Sequence, residues 1–272
     1  MKETISRRDC LVLALAAATA ILLTGTGPSF GAPPATQQAP AAAPAWTPPD
    51  PATIPEGPLG DSIRLGRQIF NETPKYAAPY VGNQMSCTHC HVAGGTVAGG
   101  IPIVGVPGMF PTYREREKAV VTYEERIQQC FERSEYGHRL PADSPEMAAL
   151  VAYSQWLSKD QVTGQPFPGR GLIALPALTG DPDRGARIYT AQCAFCHGAE
   201  GAGDPPAIPP LWGAGAYSDG AGMHNPVRMA AFVRHNMPQN NPGSLTPQQA
   251  HDVATYVASK PHPRFRPASG AR

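Results

Sequence analysis

Two short runs constrain this chain more than anything else in it: "CTHCH" at 87–91 and "CAFCH" at 193–197. Each spaces two thiols three residues apart and places a histidine directly after the second. That pattern attaches a c-type haem, with the thiols as thioethers to the porphyrin and the histidine on iron. The competing reading is a pair of structural zinc or disulfide sites. Two occurrences in a chain with an export-like N-terminus favour two covalently bound haem c groups. Cys87, Cys90, Cys193 and Cys196 are then the attachment residues, and His91 and His197 the iron ligands.

The runs belong to a degenerate internal repeat. "GRQIF" (66–70) precedes the first and "GARIY" (185–189) the second. Copy one has 16 residues between these two signals and copy two has three. Each copy closes on a helix with the same start: "SPEMAALVAYSQWL" from Ser144 and "TPQQAHDVATYVAS" from Thr246. The hydroxyl residue is the N-cap and proline takes the first helical position, where its missing N–H costs nothing. Thr246 and Gln249 also have capping-box spacing. The expected fold is all-α: two tandem class I cytochrome c-like domains, each a small helical bundle around its haem. The domains span 58–160 and 181–262, with a connector over 161–180 and a tail over 263–272.

Residues 1–31 read as a signal peptide. Lys2, Arg7 and Arg8 precede an apolar run over 11–23, too short to span a bilayer. The general export route fits better than a twin-arginine one, because Cys10 stands where a bulky apolar residue is preferred. An uncleaved anchor is the other reading. Residues 32–57 are rich in Ala and Pro and are expected to form an extended, poorly ordered tether. The formal net charge of +1 gives no support to nucleic acid as a partner or to an anionic membrane surface. With the leader removed, no membrane span is expected, and the N-terminus reads as an export signal.

Each iron has a further position to fill. Met237 follows His197 by 40 residues and sits in "RHNMPQNNPG", before the last helix. A thioether there raises the potential and suits electron transfer. His235 is the competitor, while Met223 and Met229 read as core or loop residues. In the same register Cys130 follows His91 by 39 residues, closer than Met109, His138 or Met147. Cys130 is thus either a thiolate ligand of the first haem or a buried structural cysteine. His89, inside the first run, reads as a solvated or packed spacer.

The residues around Cys130 bear on that choice. Thr122 and Glu125 have capping-box spacing, so a helix is expected over 123–135. At about 100° per residue, Arg126, Cys130, Arg133 and Ser134 share one face. Glu124, Glu125, Glu132 and Glu135 take the other. Cationic neighbours favour a reactive thiolate, and guanidinium forks bind oxyanions. The plain alternative is that these arginines are solvated or pair with glutamates: 111–140 holds six Lys/Arg and six Glu. A cysteine-ligated haem beside an anion site suits redox chemistry on an anionic sulfur compound. Joining two thiosulfates into tetrathionate releases two electrons, one for each haem.

The run "CFERSEYGHRLPADSPEMAALVAYSQWLSK", with "GNQMSCTHCH", "PTYRERE" and "PPLWGAGAYSDGAGM", resembles the thiosulfate dehydrogenase family of dihaem c-type cytochromes. The resemblance covers about 58–265. It implies that His91 and Cys130 ligate the active-site haem, and that His197 and Met237 ligate the haem through which electrons leave. Arg116, Arg126 and Ser134 would help hold substrate. It also implies a periplasmic location and a soluble cytochrome c or high-potential iron–sulfur protein as electron acceptor. Some relatives carry Lys directly before the distal Met; here that position is Asn236, so a Lys-to-Met ligand exchange is not expected. Two other functions compete: tetrathionate reduction in the reverse direction, and a dihaem electron carrier with no substrate of its own. A haem-based sensor ranks behind both, because the chain has no output domain.

Overall fold

The computed structural model describes residues 46–267. The expected leader, the first part of the Ala/Pro-rich stretch and residues 268–272 of the tail lie outside the described residues. Among the described residues the chain is mostly helical with one two-stranded sheet. No helix there is long and apolar enough to cross a membrane.

The first half runs α1 (Pro58–Asn71), α2 (Thr73–Tyr76), α3 (Val92–Gly95), β1 (Thr112–Arg114), β2 (Ala119–Val121), α4 (Tyr123–Arg133) and α5 (Pro145–Leu157). The second runs α6 (Pro182–Gln192), α7 (Ala194–His197), α8 (Pro226–Asn236) and α9 (Pro247–Ala258). The two closing helices start as their sequences dictate. Ser144 Oγ accepts from the Met147 N–H at 3.1 Å. Thr246 accepts from Gln249 N–H, and the Gln249 side chain accepts from Thr246 N–H, a complete capping box.

The repeat shows most clearly where α1 meets α5 and α6 meets α9. A β-carbon at Gly66 would overlap the Ala149 carbonyl, and one at Gly185 would overlap the Asp252 carbonyl. Glycine is what lets each pair of backbones touch. Two apolar clusters form around these crossings. One gathers Ile63, Ile69, Phe70, Phe131, Leu150 and Tyr153. The other gathers Tyr189, Met229, Phe232, Val253 and Val257, and it also takes in Met85, Cys90, Val92 and Ile101 from the first half.

Two segments differ from expectation, the end of the tether and the β1–β2 hairpin, and the connector takes a definite course. Residues 46–57 of the expected tether are ordered: Trp46 packs edge-on against Phe167 at 5.3 Å, and Ile54 is buried in the first core. These are apolar residues with burial available. The connector is held along its length, with Gly99 N–H donating to Gly169 O at 2.8 Å and Leu172 and Leu175 packed on the second core. The β1–β2 hairpin was not expected; it pairs Thr112 with Val121 and Arg114 with Ala119.

Asp252 pins α9 to the start of α6. Its buried carboxylate accepts from Arg184 Nε at 2.8 Å, Arg184 NH2 at 2.9 Å and the Asp181 N–H at 2.8 Å. Burial opposes ionisation, but these donors outweigh it and hold Asp252 below the ordinary carboxylate range. Asp252→Asn is expected to cost about 2 kcal/mol at neutral pH. A carboxyl with a depressed folded value stabilises above its unfolded value, and that stability fades as pH falls through the folded one. Urea midpoints of parent and variant should therefore differ at pH 7 and converge in acid. Equal midpoints at pH 7 would refute the role.

Candidate haem and anion site

The first attachment run is built on a 3-10 turn, Cys87–His89, followed by Cys90 and His91. Its two thiols are free. Burial pushes both up, Cys90 to about 12, and the nearby Glu135 carboxyl adds to the effect. His91 Nδ1 lies 2.6 Å from the Ile101 carbonyl and so carries the proton it donates. Burial pushes this imidazole down to about 4. The ring is thus neutral, and its Nε2 lone pair is available to a metal. The second run repeats the arrangement on α7. Cys193 and Cys196 are free, burial pushes Cys193 up to about 11, and His197 Nδ1 donates to Pro209 O at 3.1 Å.

This donor set fits haem c: two unpaired thiols three apart, then a neutral imidazole oriented by a backbone carbonyl. It does not fit structural zinc. Among the described residues no three His, Cys, Asp or Glu side chains gather into a metal-holding cluster.

Cys130 lies in the last turn of α4, close enough to Cys87, Cys90 and Glu135 for its charge to reach them. The Arg126 guanidinium, one turn earlier, donates to Cys130 Sγ at 3.1 Å. The sulfur's charge holds Arg126 above its ordinary value, against burial. Arg133 and Arg114 share one carboxylate, Glu117, at 3.0 and 3.2 Å. Burial disfavours the Glu117 anion, but the two arginines win and hold it below the usual range. Arg116 sits among them. Burial lowers it, and the charges of Arg133, Arg126 and Arg114 lower it further. Four guanidiniums thus gather here, with Glu117 the one carboxylate bridging two of them. Such a cluster favours an incoming dianion.

The β1–β2 hairpin delivers Arg116 and Glu117, and the second half supplies a wall. Arg116 donates to Gly220 O at 2.9 Å, and Ser218 Oγ donates to Arg133 O at 2.6 Å. Asn83 Nδ2 bridges Ser134 O and Ala216 O at 2.8 and 3.0 Å. Ser134 itself caps the C-terminus of α4.

One expectation is corrected. Glu135 does not lie on the face away from Cys130. The helix stops at Arg133, so residue 135 is off the wheel. Its N–H still donates to Cys130 O, Tyr136 turns to φ 49°, and the carboxyl is buried with Oε1 3.9 Å from Cys87 Sγ. Burial, then the Cys130 charge, push that carboxyl well up. The "EYG" following the helix was the available signal for this stop. Glu117 was also missed, since only the hairpin brings it between two arginines.

In the second half, Met237 is the C-cap of α8 and packs against the core there. His235, in the last turn of α8, has a buried Nε2 with no hydrogen-bond partner among the described residues. Met223 and Met229 are core residues, as expected. His89 is packed rather than solvated: its two ring nitrogens meet Ser86 N at 2.9 Å and Pro206 O at 2.8 Å.

With this geometry in hand, comparison with known proteins is decisive. Residues 73–162 match the family model described as SoxA/TsdA, cytochrome c domain. Residues 180–257 match the one described as Cytochrome C oxidase, cbb3-type, subunit III. The thiosulfate dehydrogenase of Allochromatium vinosum is 40% identical over 237 residues, covering 83% of this chain and 87% of that protein. The chain belongs to the thiosulfate dehydrogenase family. The enzyme of that name from Stutzerimonas stutzeri is 43% identical over 225 residues, covering 80% of this chain and 73% of the relative. The solved structure of the thiosulfate dehydrogenase TsdBA from Marichromatium purpuratum superposes with a TM-score of 0.78 at 38% identity. That match covers 83% of this chain and 51% of the other, so this chain spans about half the length of TsdBA. This family member is therefore an enzyme of cytochrome c domains, a fold that implies haem c.

Proposed function

We propose that this enzyme carries two covalent haems, one in each of the modules 58–160 and 181–262, and oxidises two thiosulfate ions to tetrathionate. Cys87 and Cys90 hold the first haem and Cys193 and Cys196 the second. His91 with Cys130, and His197 with Met237, are the iron ligands. Met237 ends α8 and opens the loop before the closing helix, the ligand position the repeat register gives it, which favours it over His235 inside the helix. The periplasm is the proposed location, supported by the export-like N-terminus and the attachment runs.

The observation that carries this reading is the Arg126 contact to Cys130 Sγ inside the arginine cluster. Haem c, when bound, supplies a one-electron acceptor in each module and a route out to a soluble cytochrome c or high-potential iron–sulfur protein. The chain's own residues do the rest. Arg116, Arg133 and Ser134 hold the sulfonate oxygens of thiosulfate, and Arg126 offsets the negative charge on the Cys130 sulfur. The Cys130 thiolate joins the sulfane sulfur of the first thiosulfate. One S–S bond forms, two electrons leave, and no proton moves. A second thiosulfate attacks that sulfane sulfur, breaking its bond to Cys130. Tetrathionate departs and the Cys130 thiolate is restored.

Cys130→Ala should keep its haem content yet abolish thiosulfate-dependent ferricyanide reduction; undiminished turnover would sink the covalent route. Arg116→Ala should raise KM for thiosulfate about 30-fold, the loss of one charge-assisted hydrogen bond. The intact mass should show two haem additions, and replacing Cys193 and Cys196 by Ser should leave one. A single addition to the parent chain would refute the dihaem reading.

A further inference from the structure

We infer that each haem module holds the other's proximal-histidine loop, and that Asn236 and His89 are the positioning residues that do so. The inference rests on the ligand assignments proposed above.

The first loop takes its shape from His91. The ring donates to Ile101 O, and Val92 N–H donates to Gly100 O at 3.0 Å. Directly before this pair, Gly99 O accepts from Asn236 Nδ2 at 3.2 Å. Asn236 belongs to the other module, is buried, and adjoins Met237. Its amide also donates to Phe232 O at 3.0 Å, which fixes it to the axis of α8. The approach is close: a β-carbon on Gly100 would stand 3.0 Å from Asn236 Oδ1.

The second loop is the counterpart. His197 donates to Pro209 O, and the segment before that carbonyl is closed by Asp204 and Ile208, whose N–H groups donate to each other's carbonyls at 2.9 and 3.0 Å. At the tip of this closed turn, Pro206 O accepts from His89 Nε2 at 2.8 Å. The direction of that bond is determined. His89 Nδ1 accepts from the Ser86 N–H, so the ring proton is on Nε2. His89 lies inside the first attachment run, two residues from His91.

The arrangement is crosswise. The carbonyl that orients His91 sits in a loop held by the residue beside Met237. The carbonyl that orients His197 sits in a loop held by a residue between Cys87 and Cys90. The partner of a metal-bound histidine sets its orientation and basicity, and through them the metal's properties. Loosening either tie therefore acts on the haem of the opposite module.

The test uses the haem-loaded enzyme with Asn236→Leu and, separately, His89→Phe, each of similar bulk but unable to donate. Redox titration yields two midpoints, assigned with the parent variant that has Ser at Cys193 and Cys196 and so holds only the first haem. Asn236→Leu should move the first haem's midpoint, changing its reduced-to-oxidised ratio at fixed potential about threefold or more. His89→Phe should do the same to the second. The low-spin electron paramagnetic resonance signal of the opposite haem should shift with it. Midpoints that move only in the substituted residue's own module would overturn the inference. If one variant fails to load haem, the other decides it. A parent enzyme without a thiolate–imidazole signature refutes the ligand assignment instead, and the crosswise shift is still read from the assigned midpoints.

Discussion

Two helices can touch backbone to backbone only where one of them lacks a β-carbon, and this chain meets that condition once in each half. Gly66 lies against the Ala149 carbonyl and Gly185 against that of Asp252. Everything else in a module hangs from its crossing. In the second half the helix that carries the glycine runs directly into the attachment run, so the crossing sets where its thiols and histidine emerge; in the first half α2 intervenes between α1 and Cys87. The closing helix presents Tyr153 or Tyr256 beside that glycine. In the first half Tyr153 also donates to Gly94 O, just after the attachment run, and so joins the closing helix to the loop that follows His91.

Charge in the arginine cluster is arranged against its own preference. Burying Arg126 removes hydration that water supplies freely, and the Cys130 sulfur provides the compensation. Arg116 has no such partner: its one hydrogen bond here goes to a neutral carbonyl. The cluster is thus stable enough to fold and still short of negative charge. Glu117 offsets one of the two charges on Arg114 and Arg133, so the deficit stays with that pair and with Arg116.

Local signals in the sequence were read well, and long-range ones were not. The N-caps at Thr122, Ser144 and Thr246 lie within three residues of the groups they satisfy, so pattern alone reveals them. The attachment runs are local patterns too, and the cytochrome c domains that match the chain imply the haem c read from them. The shared face of Arg126 and Cys130 follows from one turn of helix. Glu135 was misplaced because helical periodicity was carried past the last helical residue. The wall built by Ala216, Ser218 and Gly220 is more than eighty residues from the side chains it meets, and no periodicity connects them. His89 and Asn236 were legible as positions and opaque as contacts, since each bonds to a loop of the other half.

The second apolar cluster includes Met85, Cys90, Val92 and Ile101, all from the first half. A repeat that arose by copying a module would be separable if each copy had kept its own interior. Here the boundary drawn on the chain is not a boundary in the apolar packing. Excising the first half would strip atoms from the core of the second, whereas the first cluster is built wholly from first-half residues. The dependence runs one way: the second module borrows part of its interior from the first, and the connector, with Leu172 and Leu175 on that shared core, is a strap rather than a loose hinge.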